Sequence, residues 1–175
     1  MTIQGSIDKL KADNELFVAD TLRGIRFAFP RLNPLDAANQ LINIVVHLDS
    51  LGAPATVPLY EQLFARPFFP SDVREDTLQA FTTYRLEDAA GEPIELILQP
   101  GGFYVGWQQV SDVSDPVQVG LDLSNDNFDQ VWSDFGFGWS RTDEFITDVK
   151  GSLMIHPVFS SEQLQNSSPT SEVEQ

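Results

Sequence analysis

The chain of 175 residues contains no cysteine. Disulfides, thiolate nucleophiles and zinc–thiolate sites are therefore excluded. Positive charge is also scarce: ten Lys and Arg stand against 26 Asp and Glu, a net charge of −16. Such a field repels phosphate backbones and anionic lipid heads, which argues against nucleic acid and membrane surfaces as partners. It favours solubility and attracts cations. A solvated acidic surface is the simplest account of it, ahead of any specific cation site. No apolar run is long enough to cross a bilayer, so no membrane insertion is expected. Met1-Thr2-Ile3-Gln4-Gly5 does not begin a basic-then-apolar leader. The expectation is a cytoplasmic protein or a piece of a longer one.

Catalytic motifs are missing too. The sequence has no G-x-S-x-G elbow, HExxH pair, phosphate-binding loop or dinucleotide fingerprint. Its two histidines, His47 and His156, lie in strand-like segments, and neither is paired with a nucleophile by local motif. A structural role suits both. Paired carboxylates for glycoside hydrolysis assemble in space, so one sequence does not exclude them. Glu92 and Glu95 are the nearest such pair, but a turn and the adjacent strand position read as solvated charge. No enzyme activity is expected.

What the chain does have is aromatic and alternating. Thirteen Phe, three Trp and three Tyr fit a pleated, half-buried surface better than a helix. Ile25, Phe27 and Phe29 share one face of a strand over 24–30. Ile42, Ile44, Val46 and Leu48 do so over 41–48, with Asn43 and His47 opposite. Further alternation runs through Leu78, Ala80, Thr82, Tyr84 and Leu86. It recurs in Ile94, Leu96 and Leu98, in Phe103, Val105 and Trp107, and in Val117, Val119, Leu121 and Leu123. Residues 16–18 suggest another strand, and 59–64 suit either a strand or one helical turn. Residues 50–58, with Gly52, Pro54 and Pro58, read as a loop. Residues 131–139 read as a short strand and a tight bend, and Leu153, Ile155, Val158 and Phe159 as the last strand. Residues 160–175 are rich in Ser, Glu and Gln and too poor in apolar groups to offset chain entropy.

The tally predicts an all-β protein, a jelly-roll-like antiparallel β-sandwich of about 8–10 strands. The expected division is a lead-in over 1–15, the sandwich over 16–159, and a disordered linker or tail over 160–175. Phe103, Val105, Trp107, Val119, Leu121, Leu153 and Ile155 are expected to be mostly buried.

Two constellations carry chemistry. Asp122-Leu123-Ser124-Asn125-Asp126-Asn127-Phe128-Asp129 concentrates oxygen ligands after a strand, which suits calcium. Asp122, Asn125, Asp126 and Asp129 are the candidate ligands; no other cofactor is expected. The EF-hand pattern is absent, and Asx-rich turns arise on their own because Asp and Asn bond their own backbone. Tyr104, Trp132 and Trp139 are candidates for a sugar-stacking platform, whereas Trp107 falls on the apolar face and reads as core.

Several phrases resemble a module that precedes the sorting domain in bacterial proteins exported by the type IX secretion system. They are Thr21-Leu22-Arg23-Gly24-Ile25-Arg26-Phe27-Ala28-Phe29-Pro30, the strand at 42–48 with Leu51-Gly52-Ala53-Pro54-Ala55 after it, and Phe103-Tyr104-Val105-Gly106-Trp107-Gln108-Gln109. Val119-Gly120-Leu121-Asp122, Gly138-Trp139 and Gly151-Ser152-Leu153-Met154-Ile155-His156-Pro157-Val158-Phe159 complete them. His156 stands where that module usually has arginine. The resemblance implies a non-catalytic extracellular or cell-surface β-sandwich within a longer exported protein. It implies a role as spacer or adhesion module, with other domains of the same polypeptide as partners. The alternative is a carbohydrate-binding module whose partner is a glycan or matrix polymer.

Overall fold

The computed structural model describes residues 5–10, 20–30, 40–67, 81–99, 101–110 and 117–160. Thirteen strands and two single 3-10 turns account for their regular structure. The strands are β1 (Gly5–Leu10), β2 (Asp20–Ala28), β3 (Ile42–Ser50), β4 (Ala53–Pro54), β5 (Tyr60–Ala65), β6 (Phe81–Arg85) and β7 (Leu96–Leu98). There follow β8 (Phe103–Gln109), β9 (Leu121–Asp122), β10 (Val131–Asp134), β11 (Trp139–Arg141), β12 (Ser152–Leu153) and β13 (Ile155–Phe159). The 3-10 turns are Phe128–Gln130 and Thr142–Glu144. β4, β9 and β12 are two-residue bridges, so ten strands carry the fold, as the alternation predicts.

Every ladder is antiparallel. The larger sheet runs β11-β10-β1-β8-β3, with β5 and β4 both beside β3. The smaller has β2 at its centre, β13 on one side and β6 and β7 on the other. β9 and β12 form a separate ribbon. β1, β2 and β3 alternate between the sheets, and β1 and β3 both pair with the distant β8, in the jelly-roll manner.

The period-2 pattern explains the core. Ile44 pairs with Trp107 and Val46 with Val105 across β3 and β8, so their side chains stand on one face. Ile25, Phe27 and Leu98 meet them from the smaller sheet; all but Trp107 are at most 1% exposed, and Trp107 is 8% exposed. Two ring pairs bridge the layers edge to face: Phe27 with Trp107 at 6.4 Å and Phe103 with Phe159 at 6.1 Å. Tyr60 on β5 adds a polar tie. Its hydroxyl donates to the Glu87 carbonyl and accepts from the Glu87 N–H, both at 2.8 Å.

The structure departs from the sequence reading at four places. Residues 5–10, expected in a lead-in, form β1, a strand interior to the larger sheet that pairs with both β8 and β10. Ser160 N–H donates to Thr21 O, so hydrogen bonding continues one residue past Phe159. Leu123 is exposed because β9 ends at Asp122, where a turn begins. Leu48 is partly exposed where β3 approaches its turn. Among the residues expected to be buried, Phe103, Val105, Trp107 and Ile155 are, while Val119, Leu121 and Leu153 are half-buried. The expected strand at 16–18 and the tail from 161 onward lie outside the described residues.

The segment read as a loop at 50–58 contains a tight hairpin. Ser50 pairs with Ala53, leaving Leu51 and Gly52 as its two central residues. Both have positive φ, 60° and 89°, as a type I′ turn requires. Leu51 is wholly exposed and gains nothing from packing to offset its left-handed backbone. Leu51→Asn is therefore expected to stabilise the protein by about 0.5–1 kcal/mol. Urea unfolding with an unchanged slope would measure it, and a loss of stability would contradict the turn assignment.

Candidate functional site

The outer face of the larger sheet is as buried at its centre as the inner one. Asn43, Val45 and His47 alternate on β3 opposite the apolar stripe, and all three are buried. Val45 lies beside Gly106 of β8, a residue with no side chain, and His47 beside Tyr104.

The covering comes from the far edge of the same sheet. β11 and β3 are separated by β10, β1 and β8. On a flat sheet four steps of about 4.8 Å would hold them roughly 19 Å apart. Instead the Trp139 ring meets the His47 ring edge to face at 5.2 Å. The sheet is strongly coiled, an exaggeration of the twist that all strands share. Trp132 closes on Tyr104 in the same way, at 6.4 Å.

The β10–β11 hairpin aims Trp139. Asp134 Oδ1 accepts N–H bonds from Gly136 at 2.6 Å and Gly138 at 3.0 Å. Both glycines have positive φ, 91° and 97°, so the chain reverses within four residues. Behind the hairpin, the Phe135 and Phe145 rings pack edge to face at 5.4 Å. Ser133 and Thr142 share a buried hydroxyl bond of 2.8 Å.

The curled sheet forms an open cavity of about 270 Å³. Val45, His47, Glu61, Gln108, Asp134 and Trp139 line most of it. Asn43 positions two of these walls. Its amide donates to Glu61 Oε1 at 2.8 Å and to Gln108 Oε1 at 3.3 Å. Its own carbonyl accepts from Phe64 N–H at 3.2 Å, next to the register shift between β3 and β5.

His47 is 4% exposed and bonds through Nδ1 to Ala55 O at 2.7 Å. A carbonyl only accepts, so Nδ1 carries the proton. Burial lowers the pKa below 6.5, against the smaller raising effects of the Ala55 bond and of Glu61. The unfolded chain thus takes up a proton before the folded one does. Stability is complete above about pH 6.5 and is lost as pH falls from there toward the folded-state pKa. The slope from this one group is at most about 1.4 kcal/mol per pH unit. His47→Gln is expected to flatten the stability profile between pH 6.5 and 5. Parallel profiles for the two proteins would contradict this assignment.

The sequence candidates fare unequally. Trp139 lines the cavity. Tyr104 departs from its expected role as a stacking surface. Its ring is 0% exposed beneath Trp132, and its hydroxyl donates to Asp49 Oδ2 at 3.1 Å. Trp132 is half-buried and packs on Tyr104 rather than lining the cavity.

In the acidic loop, Asp122 Oδ1 accepts from the Ser124 N–H and hydroxyl, and its Oδ2 accepts from the Asn125 amide, all within 2.8 Å. Those Ser124 and Asn125 donors hold its pKa below the usual carboxylate range. Asp126 accepts from Gly151 N–H at 3.3 Å, and Asp129 from the Gln130 amide at 2.7 Å. Asp122, Asp126 and Asp129 thus serve as acceptors, and Asn125 as a donor, in bonds within the protein. Among the described residues no three His, Asp or Glu side chains form a group able to hold a metal ion. Glu95 pairs with Arg23 at 2.7 Å, and Glu92 caps a turn through its N–H to Asp88 Oδ1.

Sequence reasoning left Glu61, Gln108 and Asp134 unmarked as site residues. They come from three strands, and no local spacing joins them. Asn43 and His47 were visible only as polar residues opposite an apolar stripe, a pattern that solvent-facing positions share. No protein-family model, no curated protein and no solved structure matches the chain.

Proposed function

We propose that the chain is a non-catalytic binding module that takes a sugar ring in the cavity of the larger sheet. Its setting, on this reading, is an extracellular or surface protein of which it forms one accessory domain, as the type IX resemblance implies. The observation that carries the proposal is a cavity lined by Trp139, by its cross-strand neighbour Asp134, and by the hydrogen-bonding groups of Glu61 and Gln108. A pyranose has an apolar face for an indole and equatorial hydroxyls for carboxylates and amides. Small-ligand sites combine these same ingredients, an apolar surface and a few fixed polar groups. A cavity of about 270 Å³ lies just below the roughly 300–1,000 Å³ usual for such sites, which favours one ring at a time. Adhesion through glycans is thereby preferred over a purely mechanical spacer.

A glycan array followed by calorimetry tests the proposal. Trp139→Ala is expected to weaken binding at least ten-fold, about 1.4 kcal/mol. Trp132→Ala is expected to affect stability more than affinity, because that ring covers Tyr104 and does not line the cavity. Absence of binding to every glycan and matrix polymer would return the module to the spacer role.

A further inference from the structure

The cavity offers a ligand two carboxylates beside the donors of Thr56, Gln108 and Trp139. The Glu61 and Asp134 carboxylates line it together. Each has one oxygen already engaged, Glu61 Oε1 by Asn43 and Asp134 Oδ1 by Gly136 and Gly138. Glu61 Oε2 and Asp134 Oδ2 have no hydrogen-bond partner among the described residues. His47 adds a third acceptor. Its Nδ1–H is committed to Ala55 O, so in the neutral ring Nε2 carries a lone pair. That nitrogen also has no partner among the described residues, on a side chain only 4% exposed.

Charge points the same way. Among the described side chains no Lys or Arg lines the cavity. The nearby Arg141 is held by Asp143 in a bidentate pair. Two carboxylates share a concave site in a protein of net charge −16. Acidic sugars are repelled, and a neutral sugar leaves the carboxylates uncompensated. The face of an indole is also favourable to a cation.

We propose that the cavity selects a sugar bearing a free, protonated amine, with the ammonium held between Glu61 and Asp134 and the ring against Trp139. An ammonium supplies three donors and a positive charge in one group, which suits two carboxylates in a cavity that no described Lys or Arg side chain lines. The inference rests on the sugar-binding reading above and names the class of sugar.

The test is calorimetry of the intact chain at pH 7 with three sets of oligosaccharides: β-linked glucosamine oligomers, their N-acetylated counterparts, and neutral glucose oligomers. Oligolysine serves as a non-sugar cation. The amino oligomers are expected to bind at least ten-fold more tightly than the acetylated ones, with the advantage shrinking as salt rises. Glu61→Gln keeps the shape and the bond from Asn43 but removes the charge; it is expected to erase most of the ratio between amino and acetylated ligands. Equal affinity for all three sugar sets would overturn the inference and leave the sugar-binding reading standing. A preference that persists undiminished in both Glu61→Gln and Asp134→Asn would also overturn it. Failure of every sugar to bind the folded protein would overturn both, as would binding of oligolysine alone.

Discussion

Phe27→Ala is expected to lower the unfolding free energy by about 3–5 kcal/mol, the usual range for deleting a buried aromatic ring. Phe27 is 0% exposed at the centre of β2. Its ring stacks on Phe29 at 5.6 Å and meets Tyr84 edge to face at 5.8 Å. Across the sandwich it also meets Trp107 of the other sheet. Removing it leaves a void between two hydrogen-bonded sheets that cannot close without shifting a whole ladder. The loss is large beside the total stability of about 5–15 kcal/mol expected for a domain. At roughly 2–4 °C per kcal/mol, the melting temperature is expected to fall by about 6–20 °C. Phe137→Ser is the matched control. Phe137 is 98% exposed in the β10–β11 turn, and its replacement is expected to stay within about 0.5 kcal/mol. A Phe27→Ala protein as stable as the parent would mean that the two sheets do not pack through this ring.

That contrast shows where the sequence is informative. Phe27 sits in a run with Ile25 and Phe29 at alternate positions, so its burial is legible. Phe137 also alternates, with Phe135 and Trp139, so its exposure is not legible from period, and only Gly136 and Gly138 beside it mark the turn. The inner stripes of β2, β3 and β8 are readable as Phe27 is. β1 was not, because Gly-Ser-Ile-Asp-Lys-Leu holds only two apolar side chains of any size; its place between β8 and β10 is decided by backbone pairing. Hidden as well was the second buried face of β3. One-sided alternation around Ile42, Ile44 and Val46 suggests water on the other side, yet coiling brings Trp139 over His47.

The candidate site was therefore only partly legible. Trp139 was identifiable as an aromatic in an irregular segment, but its companions depend on how far a sheet coils. Twist accumulates over β3, β8, β1, β10 and β11, and no single residue encodes it. The Asp134 caps and the glycines after it are the local part of that geometry. The acidic loop shows the opposite case. Its oxygen density was plain in the sequence, and so was the competing turn chemistry; Asp122 adopts the turn, with its oxygens on Ser124 and Asn125.

The loop's anchor is the second position where a small change is expected to have a large effect. Gly151 precedes β12 with a φ of +142°, a backbone conformation that side chains rarely adopt. A Cβ there would fall 2.8 Å from Asp122 O and 2.8 Å from Leu121 Cγ. The carbonyl is fixed in the β9–β12 ribbon and cannot swing away as a flexible side chain would. Strain of about 1–3 kcal/mol from the backbone adds to about 1–3 kcal/mol from the collision. Gly151→Ala is thus expected to destabilise by about 2–6 kcal/mol. Gly52→Ala is the control for the backbone part, because φ is +89° there and no atom lies within 4 Å of the added Cβ. The damage should also be local. Gly151 O accepts the Asn127 N–H at 3.1 Å, and its N–H donates to Asp126 Oδ1. Met154 N–H donates to Gly120 O on the same ribbon at 2.8 Å. Hydrogen exchange at Asn127 and Met154 is expected to accelerate more than at the amides of β3 and β8. Uniform acceleration across both sheets would show instead that the ribbon opens only with the whole domain. No change at either amide would remove Gly151 as the point where the acidic loop is fastened to the sandwich.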